Sequence, residues 1–166
     1  MTNPTMIFTD VDYEAQGKQV DWLNLPHSVT RSAYGAISIP ITVIRNGPGP
    51  TVFLMAGNHG DEYEGQIVLA KLVRELEPEH VRGRIIILSA ANLPAAMAGA
   101  RVSPIDQGNL NRAFPGDPHG TQHRQVRGFA DHFAEAGECV FQLVDRQFDC
   151  LVHRCLGCGK NNYNRV

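Results

Sequence analysis

The stretch TVFLMAGNHGDEYEGQIVLAKLVREL (51–76), followed by RIIIL (84–88), decides the fold. Thr51 to Ala56 is a short, almost wholly apolar run, as a strand buried on both faces requires. Gly57-Asn-His-Gly-Asp61 is a tight loop. Asp61 followed by Glu64 reads as a capping box, and Val68, Leu69, Leu72, Val73 and Leu76 then recur at helical spacing. Pro78 marks the end of that helix, and Arg84 to Leu88 is a second buried strand. Strand, loop, helix and strand make a βαβ unit. It predicts an α/β fold built on a mainly parallel mixed sheet flanked by helices.

Outward from this unit the signals thin. Ile37, Ile39, Ile41 and Val43 alternate along a half-buried strand, and Pro40 within it points to an edge or a bulge. Asn46-Gly-Pro-Gly-Pro50 is turn punctuation, and residues 92–120 are rich in Gly, Pro and Asn. Val126, Phe129, Ala130 and Phe133 predict an amphipathic helix over about 122–136, and Phe148 to His153 reads as a further buried strand. No repeat, low-complexity tract or linker interrupts the chain, so residues 1–166 are expected to form one domain.

Composition narrows the function. The 166 residues are 43% hydrophobic with a formal net charge of −2, which gives no electrostatic footprint for nucleic acid or an anionic membrane. The first twenty residues lack the basic start and apolar run of a secretory signal, and no stretch reaches the roughly 18 apolar residues of a membrane span. A cytoplasmic protein is expected. Cys139, Cys150, Cys155 and Cys158 all crowd the tail and are expected to be reduced thiols. Cys155-x-x-Cys158 beside His153 is one half of a zinc knuckle, and its other half is missing.

Two motifs carry chemistry. His59 and Glu62 lie three residues apart in the loop after the 51–56 strand, where an imidazole and a carboxylate can reach one metal ion together. On spacing alone such a pair is more often a surface hydrogen bond. In Asn109-Leu-Asn-Arg-Ala-Phe-Pro-Gly116, the fork of Arg112 with the amide of Asn111 would suit the α-carboxylate of an amino acid. A loop arginine that ties down backbone carbonyls fits equally well.

Taken together, GNHGDEYEG (57–65) and NLNRAFPG (109–116) resemble the succinylglutamate desuccinylase and aspartoacylase family of zinc-carboxypeptidase-like hydrolases. SAYG (32–35), IPI (39–41) and SPID (103–106) narrow the resemblance to the branch that deacetylates N-α-acetyl-2,4-diaminobutyrate in ectoine breakdown. It covers about residues 20–120, and the tail from 121 diverges. The resemblance implies one Zn2+ per chain, with His59 and Glu62 as two of its ligands. It implies that Asn111 and Arg112 bind the substrate carboxylate and that an upstream arginine, here Arg101, polarises the scissile carbonyl. Arg101 could also be a solvated loop residue.

The family's third ligand is a histidine ending a later strand, in a D-x-H pattern. His153 is the nearest equivalent, although Leu151 stands where the aspartate is expected. The family's general base is a glutamate on a later segment that has no match before Val166, so a truncated or frame-altered member is expected. The implied function is zinc-dependent hydrolysis of the amide bond of an N-acyl amino acid, a small-molecule partner. The alternative is an inactive fragment that at most binds zinc. Homo-oligomerisation is left open.

Overall fold

The computed structural model describes residues 6–113, 116–117, 119–121 and 124–126, together with the backbone of 139–144 and 147–150. Six strands form one sheet in the order β1-β2-β4-β3-β5-β6. They are β1 (Gly17–Pro26), β2 (Ala36–Asn46), β3 (Thr51–Ala56), β4 (Gly83–Leu88), β5 (Cys139–Val144) and β6 (Gln147–Cys150). Two α-helices belong to this part, α1 (Tyr63–Glu75) and α2 (Leu93–Ala98).

The βαβ unit is present: β3 and β4 pair in parallel, from Thr51↔Arg84 to Met55↔Leu88, with α1 between them in sequence. The expectation of a mainly parallel sheet does not hold. Three of the five pairings, β1/β2, β2/β4 and β5/β6, are antiparallel, against the parallel β3/β4 and β3/β5. The cause is connector length. A parallel crossover needs about a dozen residues or more, and residues 27–35 and 145–146 are too few to provide one. The turn between Asn46 and Thr51 likewise reverses the chain, so β2 runs against the β3/β4 pair.

Side chains of β1 to β4 feed two cores. Phe53, Met55, Ile86 and Leu88 pack on one face with Ile37, Ile39, Ile41 and Val43 of β2 and Leu23 and Leu25 of β1. On the other face Ala56 and Ile87 meet Leu69 of α1, with Leu54, Leu72, Val73 and Ile85 around them. The expectation that β3 is covered on both sides therefore holds. β2 is an interior strand, but Pro40 pairs only with Trp22 of β1, one residue before the β4 pairing begins at Ile41, so it sits where β2 has a neighbour on one side only.

The expected capping box is also absent. The N-cap of α1 is Glu62, and its side chain makes no capping hydrogen bond, because it is directed to His59 instead. In the helix expected over 122–136, residues 124–126 are helical and Val126 is buried in the larger core. The remainder of that helix lies outside the described residues, as do Leu151, Val152 and His153 of the expected 148–153 strand and the C-x-x-C at 155–158. No helix among the described residues is long and apolar enough to cross a membrane.

Candidate active site

The site stands at the C-terminal end of β3, where the chain must leave the sheet without colliding with the turn after β4. Gly57 makes that exit at φ +73°, a left-handed conformation that costs glycine little. The turn after β4 continues alongside: Ala91 N donates to Ala56 O at 2.9 Å and Asn92 N to Gly57 O at 3.0 Å. Asn92 also accepts from Ala95 N as the cap of α2, and donates to Asn58 O at 3.3 Å. Gly60 seats the loop on α2: a Cβ there would stand 2.0 Å from the carbonyl carbon of Ala95. From the other side Gln66 of α1 donates to Gly60 O and Glu62 O at 3.3 and 3.0 Å. Both helices thus hold the loop in one shape.

That shape buries His59, which is 2% exposed. Its Nδ1 lies 2.7 Å from Glu62 Oε1 and its Nε2 lies 3.1 Å from Asn109 Oδ1. The guanidinium of Arg101 donates to the same Glu62 oxygen at 3.2 Å, although most of that side chain is solvent-exposed. One carboxylate oxygen therefore meets an imidazole and a guanidinium at the mouth of a buried loop.

Of the residues singled out from the sequence, His59, Glu62 and Arg101 come together. Asn111 and Arg112 lie on the adjacent 3₁₀ turn Leu110–Arg112, both exposed, with Leu110 anchored in the core between the loop and the sheet. The turn is joined to His59 through Asn109, whose Oδ1 also accepts from the backbone N–H of Asn111 at 3.1 Å. Asn109 carries no metal-ligand signature, and sequence reasoning assigned it no role. The only trace is an N-x-N spacing that allows an Asx turn. His153 lies outside the described residues.

A metal ion suits part of this arrangement. Imidazole nitrogen and carboxylate oxygen are both zinc donors, and His59 Nδ1 and Glu62 Oε1 stand side by side in direct contact at 2.7 Å. Among the described residues no third His, Cys, Asp or Glu joins them. Beside them the amide of Asn58 is buried, and neither its oxygen nor its nitrogen has a hydrogen-bond partner among the described residues. A buried amide left unanswered costs about 1–3 kcal/mol, which marks this end of β3 as short of a polar group.

Comparison with known proteins shows what the chain as a whole is similar to. Residues 48–144 match the model of the succinylglutamate desuccinylase/aspartoacylase catalytic domain. The chain is 52% identical over 130 residues to the N-alpha-acetyl-L-2,4-diaminobutyric acid deacetylase of Halomonas elongata, covering 78% of this chain and 37% of that protein. Among solved structures, the product-bound ectoine utilization protein EutE (DoeB) of Ruegeria pomeroyi superposes with a TM-score of 0.74 at 46% identity. That match covers 80% of this chain and 40% of the other. A succinylglutamate desuccinylase/aspartoacylase from Rhodobacter sphaeroides gives a TM-score of 0.72 at 48% identity, over 75% and 38% of the two chains. The chain thus spans about two fifths of the length of the relatives it matches.

Proposed function

The chain belongs to the succinylglutamate desuccinylase/aspartoacylase family, and we propose that it carries the metal-ligand loop and substrate clamp of a zinc-dependent hydrolase of N-acyl amino acids. The observation that carries this reading is the convergence of His59, Glu62 and Arg101 at the end of β3. His59 and Glu62 would hold the zinc, with His153 as the third ligand. Zinc held there would supply a Lewis acid able to acidify a water molecule.

The chain's own residues do the rest. Arg101 is exposed on one side and reaches the metal-ligand carboxylate on the other, so its guanidinium can turn its positive charge to a substrate carbonyl. A well-placed donor of this kind is commonly worth about 2.7–4 kcal/mol to a developing oxyanion. Asn111 and Arg112, exposed on the turn tied to His59, take the α-carboxylate and fix the amide relative to Arg101. The burial of His59 keeps water from competing for its ring nitrogens. N-α-acetyl-2,4-diaminobutyrate is the substrate favoured by the relative from Halomonas elongata, 52% identical over the shared region.

A second reading is a domain that binds zinc without turning substrate over, since the chain spans about two fifths of the length of the relatives it matches. An amine-release assay on the zinc-loaded chain separates the two. Release of diaminobutyrate that disappears in His59→Ala establishes the hydrolase. Zinc binding without release establishes the second reading, and no zinc binding overturns both.

A further inference from the structure

At the opposite end of β3 from His59, an open cavity of about 330 Å³ lies where β2 ends and β3 and β4 begin. Small-molecule sites start at about this size, roughly 300 Å³. Arg45, Arg84, Thr51 and Glu14 form its polar wall, and Gly47 and Gly83 are on its rim. Glu14 shows what the wall holds. Its carboxylate bridges the two guanidiniums: Oε1 accepts from Arg84 at 2.9 Å and Oε2 accepts from Arg45.

The arginines do not depend on Glu14 for their aim. Arg84 donates from Nε to Thr51 Oγ1 at 3.2 Å, and both arginines donate to the carbonyl oxygen of Tyr13, Arg84 at 3.1 Å and Arg45 at 3.3 Å. Rotation of the Glu14 side chain would leave these bonds in place. Burial is equally lopsided: the side chains of Arg84 and Arg45 are 15% and 24% exposed, that of Glu14 70%. Two cations are thus fixed in the protein while their counter-ion stands in solvent, where an ion-pair partner is held only weakly. We propose that the Arg45–Arg84 fork is a binding site for a small dicarboxylate, with Glu14 as a tethered stand-in. Two planar guanidiniums match flat, two-oxygen groups, and with Glu14 swung aside their two charges match two carboxylates. The site is independent of the zinc reading.

Calorimetric titration of the full 166-residue chain with malonate, and separately with inorganic phosphate, tests this. A short tether holds Glu14 at an effective concentration in the millimolar range. Removing it in Glu14→Ala should therefore tighten malonate binding by about tenfold or more over wild type. Adding Arg45→Met to Glu14→Ala should abolish that binding, and malonate should shift the amide NMR signals of Gly47 and Gly83 in Glu14→Ala.

No saturable malonate binding to a folded Glu14→Ala chain would overturn the proposal, as would binding unchanged by Arg45→Met. Phosphate bound as tightly as malonate would overturn the assignment to a dicarboxylate. If the chain with Arg45→Met does not fold by circular dichroism, Arg45→Lys decides: it keeps the charge and loses the planar fork, so wild-type-like malonate affinity there contradicts the proposal. If Glu14→Ala does not fold, the Gly47 and Gly83 signals of wild type under malonate decide, and their failure to move contradicts it.

Discussion

Nδ1 of His59 and Oε1 of Glu62 stand 2.7 Å apart in the loop that leads into α1. An N-cap side chain ordinarily folds back onto the N–H groups of the first turn. Glu62 leaves that role unfilled and turns outward to the histidine three residues before it. The helix gives up a contribution of about 0.5–2 kcal/mol by this, which the packing of Leu69, Leu72 and Val73 against the sheet offsets. A local preference is thereby overridden at the residue pair on which the proposed chemistry depends.

Arg101 occupies the same carboxylate oxygen from the solvent side at 3.2 Å. As a cation beside a cation site it opposes metal binding by Coulomb repulsion, weakly because it is exposed. Arg101→Ala should therefore bind zinc as tightly as wild type or up to about tenfold more tightly. The same variant should lose about 10²–10³ in any amide turnover the wild type shows, since the oxyanion loses its donor. Zinc titration and amine release on one preparation check both. Weaker zinc binding in Arg101→Ala would mean that Arg101 orders Glu62 instead.

Gly60 tests how far the loop depends on α2. An added methyl would stand 2.0 Å from the Ala95 carbonyl carbon, and the atoms it meets are backbone. Overpacking typically costs about 1–3 kcal/mol, so Gly60→Ala should lower the urea midpoint clearly and weaken zinc binding, while Gly47→Ala should leave zinc binding unchanged. Gly47 has open space around it and lies at the opposite end of the sheet, so it controls for a generic glycine effect. Equal zinc binding in Gly60→Ala and wild type would show that the loop tolerates separation from α2.

Much of this arrangement was legible in the sequence, and what was not has identifiable causes. The βαβ unit showed because β3 and β4 are apolar on both faces and α1 has a stripe at helical spacing. β1 did not show. Leu23 and Leu25 face the core while Val20 and Trp22, of opposite phase, stay exposed, so no alternation marks the strand. With β1 invisible, the β1/β2 hairpin was invisible too, and the sheet read as mainly parallel. His59 and Glu62 were found as residue types at a workable spacing, and Arg101 only through the family resemblance. The link from His59 to Asn109 spans fifty positions and depends on the fold itself.

A carboxylate remote from the site gives a pH signature of the fold. Glu14 pairs with Arg45 and Arg84 at the ends of β2 and β4, and Arg84 also donates to Tyr13 O at 3.1 Å. The hydrogen bond from Arg45, with the charges of both arginines, holds the Glu14 carboxyl below its ordinary value of 4.5. A depressed folded value means that the unfolded chain takes up the proton first. The stabilisation is therefore complete above pH 4.5 and is lost as pH falls through the lower folded value. Unfolding curves of wild type and Glu14→Gln should differ at neutral pH and converge in acid. A gap that widens in acid would contradict this assignment.

The clamp is tested by ligand chemistry. Arg112→Ala should weaken binding of an N-acetyl amino acid by roughly 10-fold or more, the loss of one charge-assisted bidentate pair, yet leave the corresponding α-carboxamide unaffected. Competition against a fluorescent N-acyl amino acid measures both. Equal losses for the two ligands would make Arg112 a structural residue of the 3₁₀ turn.

The central claim is that His59 and Glu62 hold one zinc ion, and isothermal titration of the metal-free chain with zinc tests it most directly. Wild type should take up one zinc per chain. His59→Ala and Glu62→Gln should each weaken that binding severely, while Tyr63→Phe, exposed beside them, should not. Wild-type affinity in both His59→Ala and Glu62→Gln would place any zinc elsewhere and contradict the account.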